Sequence, residues 1–275
     1  MSEKKAEMSQ AMKEKLAPKN FVKNPIKGTK FTVMVSSAKG GVGKSTFAVN
    51  LAFSLKQLGK NVGLLDADIY GPSLPKLIGR NEKPENKDGK YIVPIDSHGV
   101  QCMSMGFLVE ETTPMIWRGP MVISAIKTLT ERVLWNDLDI IVVDMPPGTG
   151  DTQLTFAQHI KVDGAIIIST PQDIALLDVK RGIQMFDKTK INIFGLVDNM
   201  SFFRADDGKN YNIFGEGGVE RTAKEFDKDF LGKIPLHQDL RESADKGMPL
   251  TLSDTKHEIS LIIKEIAEKI LKKLN

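Results

Sequence analysis

Phe31-Thr32-Val33-Met34-Val35-Ser36-Ser37-Ala38-Lys39-Gly40-Gly41-Val42-Gly43-Lys44-Ser45-Thr46 is the stretch whose reading decides the fold. The apolar run Phe31 to Val35 predicts a buried strand reaching Ser36. Phe47 to Leu58 is apolar at helical spacing and predicts the helix that follows. Strand, glycine-rich turn and helix form the context of a phosphate-binding loop. Glycines let several backbone N–H groups converge on one anion, and the helix dipole adds positive potential there. Ala38, Lys39, Gly40, Gly41, Val42, Gly43, Lys44, Ser45 and Thr46 are therefore the expected nucleotide-binding residues. Lys44 would reach the β- and γ-phosphates, and the Ser45 hydroxyl would sit on Mg²⁺. The general pattern wants a glycine where Ala38 stands, and a second lysine, Lys39, stands beside it.

Further strands lead to acidic residues. Asn61 to Leu65 reads as a strand running into Asp66-Ala67-Asp68, and carboxylates there sit where open α/β sheets bind ligands. Asp68 would orient the attacking water and Asp66 would support Mg²⁺ through water. Both would also serve as turn and cap residues before Gly71-Pro72-Ser73. Leu138 to Val143, ending in Asp144, is a β-branched run whose terminal acid would hold Mg²⁺. Pro146-Pro147-Gly148 cannot continue a strand, so the chain turns off there, and Gly148 allows close approach to the γ-phosphate. Asp151 opens the next helix and reads as its N-cap. Gly164 to Thr170 and Asn192 to Val197 are further strands. Asn199, just past the second, would either bond an adenine edge or cap a turn.

The remaining segments read more plainly. Tyr91 to Ile95 and Val100 to Met105 predict a hairpin around Ser97-His98-Gly99. A helix is expected over Met121 to Leu134, and Trp117 and Arg118 before it are candidates for a dimer face. Phe230 to Pro235 is the last strand, and Asp239 to Asp245 a short helix. His257 to Leu274 carries a helical apolar stripe, which predicts packing on the core; its terminal lysines would also suit an anionic surface. Strands alternate with helices throughout, so the fold class is α/β, a mostly parallel doubly wound sheet with helices on both faces.

Composition narrows the classes. An apolar fraction of 41% and a charged fraction of 27% are ordinary for a globular protein. No apolar run approaches a membrane span, and no apolar segment follows the N-terminal lysines, so a cytoplasmic protein is expected. Residues 1–30 hold eight lysines against three glutamates, which leaves about −2 for the rest of a chain with net charge +3. This basic stretch reads as a leader and linker, with the ATPase domain at 31–275. It holds one aromatic, Phe21, and no arginine, too little for a base-stacking surface, so no nucleic-acid partner is expected. The single cysteine, Cys102, alternates within a strand and reads as a core thiol.

Lys-Gly-Gly-Val-Gly-Lys-Ser-Thr (39–46) resembles the deviant phosphate loop of the MinD/ParA/Mrp class of ATPases. Asp66 to Ser73, Met103-Ser104-Met105-Gly106-Phe107, Trp117-Arg118-Gly119-Pro120, Asp144 to Asp151, Asn199-Met200-Ser201 and Ile213-Phe214-Gly215 follow in order. Together they resemble the Mrp/ApbC group of iron–sulfur cluster carrier ATPases over about residues 20–275. The resemblance implies a homodimer with ATP and Mg²⁺ at its interface, and Lys39 reaching the partner's nucleotide. It implies iron–sulfur assembly or recipient proteins as partners. It also implies a cluster bridged by a Cys-x-x-Cys pair between Ser201 and Ile213. Here that stretch reads Phe202-Phe203-Arg204-Ala205-Asp206-Asp207-Gly208-Lys209-Asn210-Tyr211-Asn212, with no thiol. Four thiolates are the usual cluster ligands, and aspartates are poor substitutes. Two functional classes follow: a cluster-delivery ATPase, or a cluster-free ATP-driven switch or scaffold acting through a protein partner or membrane surface.

Overall fold

A computed structural model describes residues 23–109, 119–205 and 207–274, with backbone only for Gly119, Pro120 and Asp151. Trp117, Arg118, Asp206 and the leader up to residue 22 lie outside the described residues. In chain order the elements are β1 (Thr29–Ser36), α1 (Lys44–Gln57), β2 (Val62–Asp66), α2 (Leu74–Leu77), β3 (Asn86–Lys87), β4 (Tyr91–Ile92), β5 (Ile95–Ser97) and β6 (Val100–Ser104). Then come α3 (Gly119–Lys127), β7 (Leu138–Asp144), α4 (Asp151–His159), β8 (Gly164–Ser169), α5 (Asp173–Thr189), β9 (Ile193–Arg204) and β10 (Asn210–Tyr211). The chain closes with α6 (Gly218–Glu225), β11 (Phe230–Leu236), α7 (Gln238–Asp245), α8 (Leu250–Ser253) and α9 (Glu258–Leu274).

Nine strands form one sheet in the order β10-β9-β8-β1-β7-β2-β6-β5, with β11 also on β9. β1, β2, β6, β7, β8, β9 and β11 run parallel, so their C-terminal ends share one edge. The central strands are buried on both faces: Val33 to Val35, Leu64, Leu65 and Ile141 to Val143 are 0% exposed. That burial is why they read as continuous apolar runs instead of alternating ones. α1 packs on β2 and β7 and against α9; α5 packs on β8 and against α6. Successive β9 residues show that these groups lie on opposite faces. Asn199 reaches the loop before α1, while Asp198 feels the charge of Glu220 on α6.

The apolar stripe of α9 packs as expected. Ile259, Ile263, Ile266, Ala267 and Ile270 are buried, and the Lys269 ammonium donates to the Leu231 carbonyl at 2.7 Å. Among the described residues no helix is long and apolar enough to cross a membrane.

Four expectations need correction. Residues 24–30 are not linker: Asn24 bridges to Ile160 and Ile26 is 1% exposed, so packed structure begins before the boundary read at 30/31. The hairpin around His98-Gly99 is present, with both residues at positive φ, but its first strand is β5. Tyr91 and Ile92 pair with Asn86 and Lys87 instead, because Pro94 has no N–H to extend a ladder. α3 ends at Lys127 and widens into a π-turn over Thr128–Arg132. There the Thr128 and Thr130 hydroxyls donate back to the Ser124 and Ile126 carbonyls. β9 runs on to Arg204, because β10 and β11 both pair with its far end.

Candidate functional site

The phosphate loop leaves the end of β1 at the centre of the shared edge. Gly41 and Gly43 take φ near +81° and +84°, a conformation that costs glycine little. A side chain at 43 would also strike the Asn199 amide, 2.3 Å from an added Cβ. α1 starts at Lys44 with no side-chain cap, which leaves its first N–H groups directed at the loop.

Lys44 and Asp144 meet across this edge. Their charged groups are 2.5 Å apart, and each side chain is 6% exposed. The Lys44 ammonium is also 3.2 Å from the Ser45 hydroxyl. Burial raises the Asp144 carboxyl above the usual carboxylate range, while Lys44 and Ser45 pull it down. A lysine, a hydroxyl and a carboxylate at a helix N-terminus are the groups that a Mg²⁺–triphosphate needs, so the residues present fit that ligand.

Asp66 and Asp68 separate in role. Asp66 is 1% exposed, and its oxygens accept the N–H groups of Asp68, Ser73 and Leu74 and the Ser104 hydroxyl at 3.0–3.2 Å. Three of these donors fall on Oδ2 and one, the Asp68 N–H, on Oδ1. The bonds make Asp66 a buried brace for residues 66–74, a role that the reading of it as a Mg²⁺ support through water did not include. Asp68 is partly exposed, accepts the Gly71 N–H at 3.3 Å, and faces a cavity of about 550 Å³ shared with Tyr70, Pro146, Pro147 and Gln153. Its charge acts on Asp144, so it lies within electrostatic reach of the same centre.

The loop after β7 is stitched to the phosphate loop. Met145 N–H donates to the Val35 carbonyl at 3.0 Å and Gly148 N–H to the Ser37 carbonyl at 2.9 Å. Gly148 has φ near +89°. The N-cap of α4 is Gly150, not Asp151, which is the first helical residue. Lys39 is exposed on the loop's outer side.

Asn199 is 5% exposed, and its amide donates to the Val42 carbonyl at 2.8 Å. It ties β9 to the phosphate loop and stands on the wall of a largely apolar cavity of about 350 Å³. Gly43 and Thr46 line one side of that cavity; Pro235, Leu236, His237 and Leu240 line the other. The cavity opens beside the phosphate loop. The residues 235–240 were not singled out from the sequence. The signal was there: β11 ends at the same sheet edge as β1, and its final residues meet a helix cap. His237 is that cap, its Nδ1 accepting the Asp239 N–H at 3.1 Å, and His257 packs edge-on against it at 4.8 Å between centroids.

The segment expected to carry thiols is a hairpin. β9 and β10 pair Phe203 with Tyr211 and Arg204 with Asn210. The turn closes through Ala205 N–H to the Lys209 carbonyl at 3.0 Å. Cys102 is 0% exposed on β6, and burial pushes its thiol far up. Five strand spacings separate β6 from β9, about 24 Å at ~4.8 Å each. The core-thiol reading is correct, and Cys102 cannot join the hairpin in one ligand set.

Comparison with known proteins agrees with this geometry. The model for the ParA family, described as NUBPL iron-transfer P-loop NTPase, matches residues 28–271. The iron–sulfur cluster carrier protein of Escherichia coli K12 is 48% identical over 251 residues, 90% of this chain and 68% of that one. The iron–sulfur cluster transfer protein NUBPL of Mus musculus is 47% identical over 253 residues, 91% of this chain and 79% of that one. A nucleotide-binding protein of Archaeoglobus fulgidus, solved in complex with ADP, superposes with a TM-score of 0.73 at 34% identity, covering 85% of this chain and 92% of that one. The cell-division protein MinD of Aquifex aeolicus shares the fold, with a TM-score of 0.61 at 21% identity over 88% of this chain and 98% of that one. With a deviant phosphate loop, a strand-end carboxylate facing its lysine and a family match over nearly the whole described fold, the chain belongs to the NUBPL iron-transfer group of ParA-type P-loop NTPases.

Proposed function

We propose that this protein is a homodimeric ATP-hydrolysing switch in iron–sulfur cluster delivery. The observation that carries the reading is the Lys44–Asp144 contact beside Ser45, at the mouth of an uncapped helix. Backbone N–H groups of 39–45 and Lys44 hold the triphosphate. Ser45 and Asp144 would hold Mg²⁺, which neutralises phosphate charge when bound. Asp68, facing the cavity beside Pro146 and Pro147, orients the attacking water. Asn199 and the 235–240 wall hold the nucleoside. Relatives named as cluster carrier and transfer proteins support the delivery role.

Lys39, exposed on the loop, acts on the nucleotide held by a second copy. Lys39→Ala is expected to lower ATP turnover about 10- to 100-fold, because a cation supplied at the developing charge is lost, and to weaken ATP-dependent dimerisation in sedimentation. Unchanged turnover and dimerisation would remove the trans-acting role.

The cluster itself is cargo for which this chain has no thiolate set. Its one cysteine is in the core, and the hairpin over 202–212 offers none. Recipient or donor proteins therefore supply the thiolates. The same hairpin favours the second reading, a switch that handles no cluster. Iron and acid-labile sulfide per dimer, after anaerobic reconstitution of the purified chain, separate the two. Near-zero iron alone, with iron retained when a thiol-bearing assembly protein and ATP are present, is expected. Near-zero iron in both cases would leave the cluster-free switch.

A further inference from the structure

We propose that Gln153 on α4 is a positioning residue that couples the loop after β7, and through it the γ-phosphate, to the movement of α4. The inference rests on the ATPase reading above. Residues 145–148 run alongside 35–37, held at their ends by the Met145 and Gly148 N–H bonds to Val35 and Ser37. Between those bonds stand Pro146 and Pro147. Neither has an N–H, so the loop cannot fasten its own middle with donors. Gln153 supplies the missing grip. Its Nε2 donates to the Pro146 carbonyl at 2.5 Å, and its Oε1 accepts the Ser36 hydroxyl at 3.1 Å. The side chain is 1% exposed, so both bonds form away from water, where an unmade one is costly.

One amide thus bridges the end of β1, the middle of the β7 loop and a helix. The loop begins at Asp144, and Gln153 also borders the cavity that Asp68 faces. A shift of Pro146 on arrival or loss of the γ-phosphate must break this bridge or drag α4 with it. A buried bonded amide favours the second, which carries the nucleotide state away from the phosphates.

The test compares wild type, Gln153→Leu and Ser36→Ala as full chains. Gln153→Leu keeps similar volume and removes both bonds. It is expected to lower kcat for ATP about 10-fold or more, because the water-positioning geometry loosens, while KM for ATP stays within about twofold, since the phosphate grips lie elsewhere. Amide hydrogen exchange over 151–160 gives a readout that simple destabilisation does not reproduce. In the wild type it differs between ADP and a non-hydrolysable ATP analogue; in Gln153→Leu that difference disappears. Ser36→Ala removes one of the two bonds from a strand the sheet holds on both sides, and is expected to lower kcat about threefold. It carries the test if Gln153→Leu does not fold. Wild-type kcat in every folded variant, with the nucleotide-dependent exchange difference retained, would overturn the coupling. A wild type without ATP turnover would instead sink the hydrolysis reading, and the exchange comparison would then decide the coupling alone.

Discussion

Lys44→Ala is expected to leave less than about one-thousandth of the wild-type ATP turnover, since it removes the side-chain cation at the transferred phosphate. It is also expected to destabilise the fold by about 3 kcal/mol at neutral pH, the cost of breaking a buried ion pair and leaving one charge uncompensated. The reason is the environment of Asp144. Lys44 sits 2.5 Å away and both groups are almost wholly buried. Burial already pushes the Asp144 carboxyl up, and Lys44 is the leading force pulling it down. Without the lysine the carboxyl rises further and folding takes up a proton. Stability of the variant therefore falls as pH rises, and its deficit is smaller near about pH 5 than near about pH 8. Urea unfolding at the two pH values checks this. Adding Asp144→Asn to Lys44→Ala should recover part of the loss at high pH. Equal stability of the single and double variants at about pH 8 would show that an uncompensated carboxylate is not the cause.

A second large effect is expected where no chemistry has been assigned. Asp198 is 0% exposed, and neither of its oxygens has a partner among the described residues. Its strand neighbour Lys233 is engaged by Glu220 at 2.8 Å. Burial pushes the Asp198 carboxyl up to about 7, with Lys233 acting against the rise and Glu220 adding to it. An unfolded aspartate titrates near about 3.9. The folded state thus holds the extra proton between those values, and stability present below about pH 4 is lost as pH rises through about 7. The full shift corresponds to up to about 4 kcal/mol. Asp198→Asn cannot ionise, but its own unpaired amide costs about 1–3 kcal/mol. The variant is expected to be less stable than wild type near about pH 4 and more stable by about 1–3 kcal/mol near about pH 8. Melting temperatures measured across that range should cross; parallel curves would show that Asp198 does not titrate there.

The centre of this fold was legible because the residues that make it are local and rigidly patterned. The phosphate loop, β7 with Asp144 and the run ahead of Asp66 each announce themselves within a dozen residues. Their strands are buried on both faces, so apolar runs mark them without ambiguity. What escaped were features set by distant partners. The length of β9 depends on β10 and β11, which the apolar run ending at Val197 does not reveal. The brace role of Asp66 depends on Ser104, 38 positions away, and the cavity wall at 235–240 on a sheet edge assembled from six other strands. Asn199 was singled out with two roles open, and the structure adds a third, a bond to the phosphate-loop backbone. The hairpin at 202–212 was read correctly as thiol-free, but its pairing with β9 lies in backbone contacts that composition does not encode.

The single sulfhydryl on β6 makes the molecule its own unfolding clock. A fully buried thiol with its pKa driven upward by burial does not meet an alkylating reagent in the native state. It reacts only through openings that expose β6, the strand next to the edge strand β5. With no second cysteine in the chain, one added mass per molecule counts those openings directly, without a dye or an engineered label. Alkylation in the presence of nucleotide then reads how far ligand binding suppresses the opening of this end of the sheet.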